Sequence, residues 1–310
     1  MLKKYLFVAL AFFVSGCSSL PKNEDIYLPD KDIESTDVSA YYENISNISK
    51  SGPTYVKTYI HIESYELCIE SFFGINFNFF DCRSGDEIET DVKYLENTFS
   101  AMNIKLDIQS VQYIKPADYP ILKIYDLQKY QYKSYKEDYP KALHIYYIYS
   151  HAGIPDFVGC SSFPWNSGNC IFIMGMLASK TTLAHEFGHY LGLYHTFHPG
   201  GDFVSDTKDL DLSKFKDIPI TNIIGNQFLD KEYDNVMNYS VVEKQKLTNE
   251  QIQRCYYYLI NHRKDQIVPQ REFDLKKLLE ESSKKRLDQK IENIKNSNPN
   301  VKYEVAGSLN

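Results

Sequence analysis

The chain has 310 residues, enough for one sizeable domain that buries its own core. Its formal charge of −7 excludes a nucleic-acid partner gripped by a basic face, because phosphate binding calls for clustered Lys and Arg. Its 26 tyrosines either suit a wet peptide groove, offering apolar area with a polar tip, or record a bias of composition.

The chain opens with Lys3 and Lys4 ahead of a short apolar run, Tyr5 to Val14, too short to span a bilayer as a helix. Val14-Ser15-Gly16-Cys17, followed by Ser18 and Ser19, resembles the lipobox of bacterial lipoproteins. The resemblance implies that residues 1–16 are a signal peptide and that Cys17 carries lipid. The mature chain would then sit on the bacterial cell envelope, on the outer membrane where there is one. Residues 17–54 are polar, with no sustained apolar period, and read as the lipidated Cys and a flexible tether. The rival is a short pro-segment that reaches the active site through Asp30, Asp32 or Asp37.

Tyr55 to Glu63 alternates and is β-rich, which predicts a strand. Val92, Leu95, Phe99 and Met102 fall at helical spacing within 86–102. Strands follow at Ile104 to Ile114, Leu143 to Tyr149 and Cys170 to Met174, the last expected to be an exposed edge on which a peptide could pair. Thr181 to Leu191 is a helix. The stretch from 196 to 234 is irregular and rich in Asp, Gly and Asn, as functional or ion-held loops are. Leu247 to Ile260 is a second helix, opened by Thr248 with Gln251 three residues on, a capping-box pattern. From Arg271 to Lys295 the chain is densely charged with a rough apolar stripe, which reads as a solvated peripheral helix or a partner-binding tail.

The chemistry is concentrated at residues 185–195, which read HEFGHYLGLYH. His185 and His189 are four apart and so share one face of a helix, where two imidazoles can hold one zinc ion. Glu186 stands beside the metal rather than on it, placed to take a proton from a water. Gly192 tolerates the left-handed conformation that ends a helix abruptly, so the chain can return His195 as third ligand. His198 is left as a loop or pocket residue, the ligand set being complete.

This pattern, with Met237 in Asn235-Val236-Met237-Asn238-Tyr239 downstream, resembles the metzincin zinc peptidases. The resemblance implies a methionine turn beneath the ligands, made by Met237, and a tyrosine, Tyr239, that can stabilise the oxyanion. HYLGLYHTF, DFVSDT, NVMNYS, LTNEQIQR and the upstream GCSSFPW and TTLAHEFGH are similar to the pappalysin family, over about residues 140–263. That family implies a zinc endopeptidase acting on peptide or protein, often with calcium in the loop after the third histidine. Asp202, Asp206 and Thr207 are hard donors suited to calcium, or else solvated loop acids. The departures are the missing cysteines after the zinc helix and after the methionine turn, and Lys208 in place of the usual proline, so the loop must be held another way.

The fold implied is α+β of metzincin type: a twisted mixed sheet with the active-site helix above it, and an irregular lower part with a C-terminal helix. The catalytic domain is expected over 55–267, divided into an upper part, 55–192, and a lower part, 193–267, with 268–310 as a charged C-terminal helix or tail. Of the six cysteines, Cys68 with Cys82 and Cys160 with Cys170 are the local candidates for disulfides in an exported chain, and Cys255 reads as a buried free thiol. The competing function is a non-enzymatic zinc-binding surface lipoprotein, an adhesin or binding protein. Glu186 argues against it, since a purely structural zinc has no use for a base.

Overall fold

A computed structural model describes residues 38–71, 74–115, 141–149, 158–165, 168–175, 178–196, 198, 201–207, 234–238 and 246–297. The expectations for Cys17, for Asp30, Asp32 and Asp37, and for Tyr239 lie outside these residues. In chain order the elements are α1 (Ile45–Lys50), β1 (Thr54–Ser71), β2 (Gly74–Asp81), α2 (Gly85–Thr98), β3 (Ile104–Ile114), β4 (Leu143–Ile148), β5 (Gly159–Ser161), β6 (Cys170–Met174), α3 (Thr182–Tyr190), α4 (Asn249–His262), β7 (Ile267–Val268) and α5 (Leu275–Ser297). No described helix is long and apolar enough to cross a membrane.

The sheet is mixed. β1 runs parallel to β3 and to β4, β4 parallel to β6, and the short β5 antiparallel to β6, while β2 and β7 pair antiparallel with β1. The period of two along β1 sorts its residues. Val56, Ile60 and Ile62 are fully buried in the core that also takes Ile145, Tyr147, Ile171 and Ile173, and this core includes residues of α2 and α3. The intervening residues of β4 and β6 form a second apolar cluster of Tyr146, Ile148, Cys170, Phe172 and Met174. Being buried on both faces, β4 and β6 read in the sequence as continuous apolar runs.

α2 begins at a capping box: the Ser84 hydroxyl accepts from the Glu87 amide and the Glu87 carboxylate accepts from the Ser84 amide. Its buried residues Ile88, Val92 and Leu95 recur at helical spacing. The helix stops at Thr98, and a 3-10 turn, Ser100–Met102, leads to Asn103 in the left-handed region at φ 52°.

Several expectations change. β6 is not an edge: it lies between β4 and β5, and β5 is the outer strand. A strand of three residues is too short to show a period, which is why it was not read. The part of the expected tether that is described belongs to the folded unit: Ile48 of α1 is completely buried and Val38 nearly so. At the other end, the charged segment forms the helix α5, which packs on the domain. Leu279 is buried, and Arg286 makes an ion pair with Asp81 at 2.7 Å.

The disulfide expectations fail on register. Cys82 donates its amide to the Glu63 carbonyl, so it stands opposite Glu63 and five positions along β1 from Cys68, roughly 16 Å. In the β5–β6 pair Cys160 faces Phe172, while Cys170 bonds with Ser162. The two cysteines are therefore diagonal neighbours, about 7–8 Å apart, too far for a bridge. Cys82, Cys160, Cys170 and Cys255 form no disulfide. Burial pushes the Cys82 and Cys255 thiols well up, so they behave as small apolar side chains.

Candidate metal centre

The path into α3 is pinned before the helix begins. Arg83 donates to the carbonyls of Gly175 at 3.2 Å and Ala178 at 2.8 Å, and its guanidinium pairs with buried Asp91 at 2.7 Å. The Tyr147 hydroxyl donates to the same carboxylate at 3.2 Å. Burial pushes the Asp91 carboxyl up, against the opposing pull of Arg83 and Tyr147. The segment after β6 is thus tied to α2, and α3 starts from a fixed point.

α3 carries His185 and His189 one turn apart. It ends where Gly192 takes φ +86°, with the Leu193 amide donating to the Gly188 carbonyl at 2.9 Å. Gly192 is needed twice over, because a β-carbon there would also strike the Tyr258 ring. The chain doubles back, and His195 Nε2 arrives 3.1 Å from His185 Nε2 and 3.1 Å from His189 Nε2.

The tautomers of the two helical histidines are fixed from behind. His185 Nδ1 donates to the Val236 carbonyl at 2.7 Å and His189 Nδ1 donates to the Leu193 carbonyl at 2.7 Å. A carbonyl only accepts, so the proton is on Nδ1 and the Nε2 lone pair is directed inward. Burial is the main force lowering the pKa of all three rings: His185 to about 4, His189 to about 3 and His195 well below the usual value. Three neutral imidazoles with converging nitrogens form a donor set for a cation. A tetrahedral zinc ion at about 2.0–2.1 Å from each would separate the nitrogens by about 3.3 Å, close to the distances seen. Among the described residues this is the group of three whose ligand atoms lie within 4.8 Å of one another.

Below the ligands runs the turn Asn235–Asn238. The Asn235 side chain accepts from the Met237 amide at 2.9 Å, and its backbone carbonyl accepts from the Asn238 amide at 3.0 Å. Its amide group donates to Gln251 at 2.8 Å, and Gln251 also closes the capping box of α4 with Thr248. Met237 is completely buried under α3, where a β-carbon on Gly188 would lie 2.5 Å from its sulfur. The same turn presents the Val236 carbonyl to His185, so floor and ligand orientation are one structure.

Glu186 is buried, and burial raises its pKa to about 8 in the metal-free chain. Its carboxylate lies against Gly159 of β5, with no room for a side chain at 159. Sequence reasoning missed Gly159. Its only signal was membership of the GCSSFPW string.

The loop after His195 is held without the cysteines it lacks. Asp202 accepts from the Thr207 hydroxyl at 2.7 Å, whereas Asp206 turns to the start of α4 and accepts from the Glu250 amide at 2.9 Å. Glu250 in turn accepts from the Ser205 amide and hydroxyl at 2.6 Å each. Of the three expected calcium donors, Asp202 and Thr207 thus bond to each other and Asp206 bonds to the start of α4. Arg254 completes the attachment, donating to the Gly192 carbonyl at 2.8 Å and lying over the rings of Tyr194, Phe203 and Tyr258.

Residues 171–259, which contain the three histidines and the methionine turn, match the family model of peptidase M43, described as Pregnancy-associated plasma protein-A. This stretch is similar to peptidase M43. The match and the three converging histidines, which could hold a metal ion, together support a zinc metallopeptidase. Two solved structures are similar to the chain at low identity. Metalloproteinase-II from Bacteroides fragilis is 15% identical over 66% of this chain, with a TM-score of 0.37. The chain spans 53% of that protein's length. Archaemetzincin from Methanopyrus kandleri is 12% identical over 67% of this chain and 97% of its own, with a TM-score of 0.35. No curated protein matches the chain.

Proposed function

We propose that the chain is a zinc-dependent endopeptidase in which Glu186 is the general base. The observation that carries the reading is the pairing of three inward-facing Nε2 atoms with a buried carboxylate one residue from the first ligand, within a stretch similar to peptidase M43. The donor set fits zinc. When bound, zinc would polarise the scissile carbonyl and lower the pKa of water toward neutrality. The chain's own residues do the rest. Val236 and Leu193 hold the ligand rings in one tautomer. Glu186 accepts the proton of the attacking water on its carboxylate and passes it to the leaving amine. β5, which has no strand on its outer side among the described residues, offers backbone groups on which an extended peptide can pair beside Glu186. Tyr239 completes the reading as an oxyanion donor, supported by its place two residues after Met237.

The test is digestion of a peptide mixture by the native chain and by Glu186→Gln, with cut sites read by mass spectrometry. Cuts by the native chain that vanish in the variant and on chelation are expected, with zinc content equal in the two. Equal cutting by both would overturn the role of Glu186. No cutting by the zinc-loaded native chain would favour the zinc-binding surface lipoprotein.

The same proposal places the enzyme on a bacterial membrane through lipid on Cys17, supported by the Val14–Cys17 lipobox pattern. Labelled palmitate should enter the native chain and not Cys17→Ala, and equal labelling would remove the anchor.

A further inference from the structure

The site as described leaves one buried charge unexplained. Arg263, the residue after α4, is 3% exposed and pairs with no carboxylate among the described residues. A buried guanidinium without an acid is costly unless its protons are met by other acceptors. Here those on Nη1 and Nη2 are met by the two limbs of one connection, while Nε has no hydrogen-bond partner among the described residues. Nη2 donates to the carbonyls of Ser162 and Phe163, both at 3.1 Å, where the chain leaves β5. Nη1 donates to the Gly168 carbonyl at 2.9 Å and to the Asn169 side-chain oxygen at 3.2 Å, where the chain enters β6. The face of the guanidinium lies 3.9 Å from the ring centroid of Tyr190, the last residue of the zinc helix, and the Tyr190 hydroxyl donates to Gln266 at 2.7 Å. The Phe163 ring stands 5.3 Å from the ring of His189.

β5 is therefore fastened at both ends. Gly159 seats against Glu186, and Ser162 and Phe163 hang on Arg263. We infer that Arg263 is a positioning residue for extended peptide substrates: it holds the β5–β6 connection closed, and so keeps the pairing edge of β5 and the Phe163 ring in register with the metal centre. The inference rests on the peptidase reading above. Arg263 touches none of the three ligands or Glu186 by any hydrogen bond described, so its loss should weaken substrate alignment and leave the reacting groups in place.

The fork geometry makes Arg263→Lys informative, since one ammonium cannot span four oxygens on two limbs. With a peptide long enough to lie along β5, the variant should show KM raised about tenfold and kcat within about threefold of native. With a short peptide lacking those residues, kcat/KM should match native. Zinc content should stay equal, and the Ser162 and Cys170 amides should exchange faster with solvent. Asn169→Ala, which removes a single acceptor, should move the same quantities less. A folded, zinc-loaded Arg263→Lys that loses rate equally on long and short peptides, or that is unchanged on both, overturns the inference. If Arg263→Lys does not fold, Asn169→Ala decides, and unchanged KM there is the contrary result. A native chain that cuts nothing would instead defeat the peptidase reading. Amide exchange alone would then judge the clamp: faster exchange supports it and unchanged exchange overturns it.

Discussion

On the proposed reading the Glu186 carboxylate moves protons beside a metal and needs a dry and fixed seat, which Gly159 provides by having no side chain. Gly159→Ala should therefore keep zinc and lower kcat/KM by about a hundredfold through displacement of Glu186, a size typical of small misplacements of a reacting group. Steady-state kinetics with a zinc assay on the same sample checks this, and native kinetics in a zinc-loaded variant would contradict it. Met237 makes a separate case. Met237→Ala should cost about 2–5 kcal/mol of stability by emptying a buried place under α3, whereas Met237→Leu should cost less than about 1.5 kcal/mol. Denaturant unfolding distinguishes the two. At this scale the histidines were legible because their spacing and Gly192 encode one local structure. Gly159 was not legible, because its need arises from a side chain on another element. The proposed disulfides were misread for the same reason: nearness in sequence does not give the register that sets Cys68 and Cys82 apart.

The elements show how local signals reach the site. α4 was readable from Thr248, Gln251 and its apolar spacing, and it begins at that cap. What the sequence did not reveal is that Gln251 serves two structures, closing the capping box and pairing with Asn235 of the methionine turn. Thr248→Ala should then cost about 1 kcal/mol, the usual worth of a cap. Gln251→Ala should cost more, because it also strands the buried Asn235 amide. Chemical denaturation of both variants measures the difference, and equal losses would deny the link. β2 and β5 went unread, the first as an extension of the β1 hairpin and the second for its brevity. The long strands, buried on both faces or alternating, were plain.

Across the whole molecule the far side of the sheet adds a second set of buried histidines. His61 Nε2 and His144 Nδ1 lie 3.1 Å apart, stacked between Tyr59 and Tyr146. Burial, then the neighbouring His144, lowers the pKa of His61 to about 3. The unfolded imidazole takes its proton near pH 6.5 and the folded one refuses it, so stability is full above about pH 6.5 and is lost as pH falls toward 3. His61→Gln, which cannot titrate, should flatten that fall. An unchanged slope of stability against pH between about 6.5 and 4 would contradict it.

The central claim, that three histidines hold one zinc ion on which peptide cleavage depends, is tested most directly by titrating the metal-free chain with zinc while following cleavage of a peptide. The account predicts that activity rises linearly and levels off at one equivalent per chain. Cleavage before any zinc is added, or a plateau reached with bound zinc and no cleavage, would contradict it.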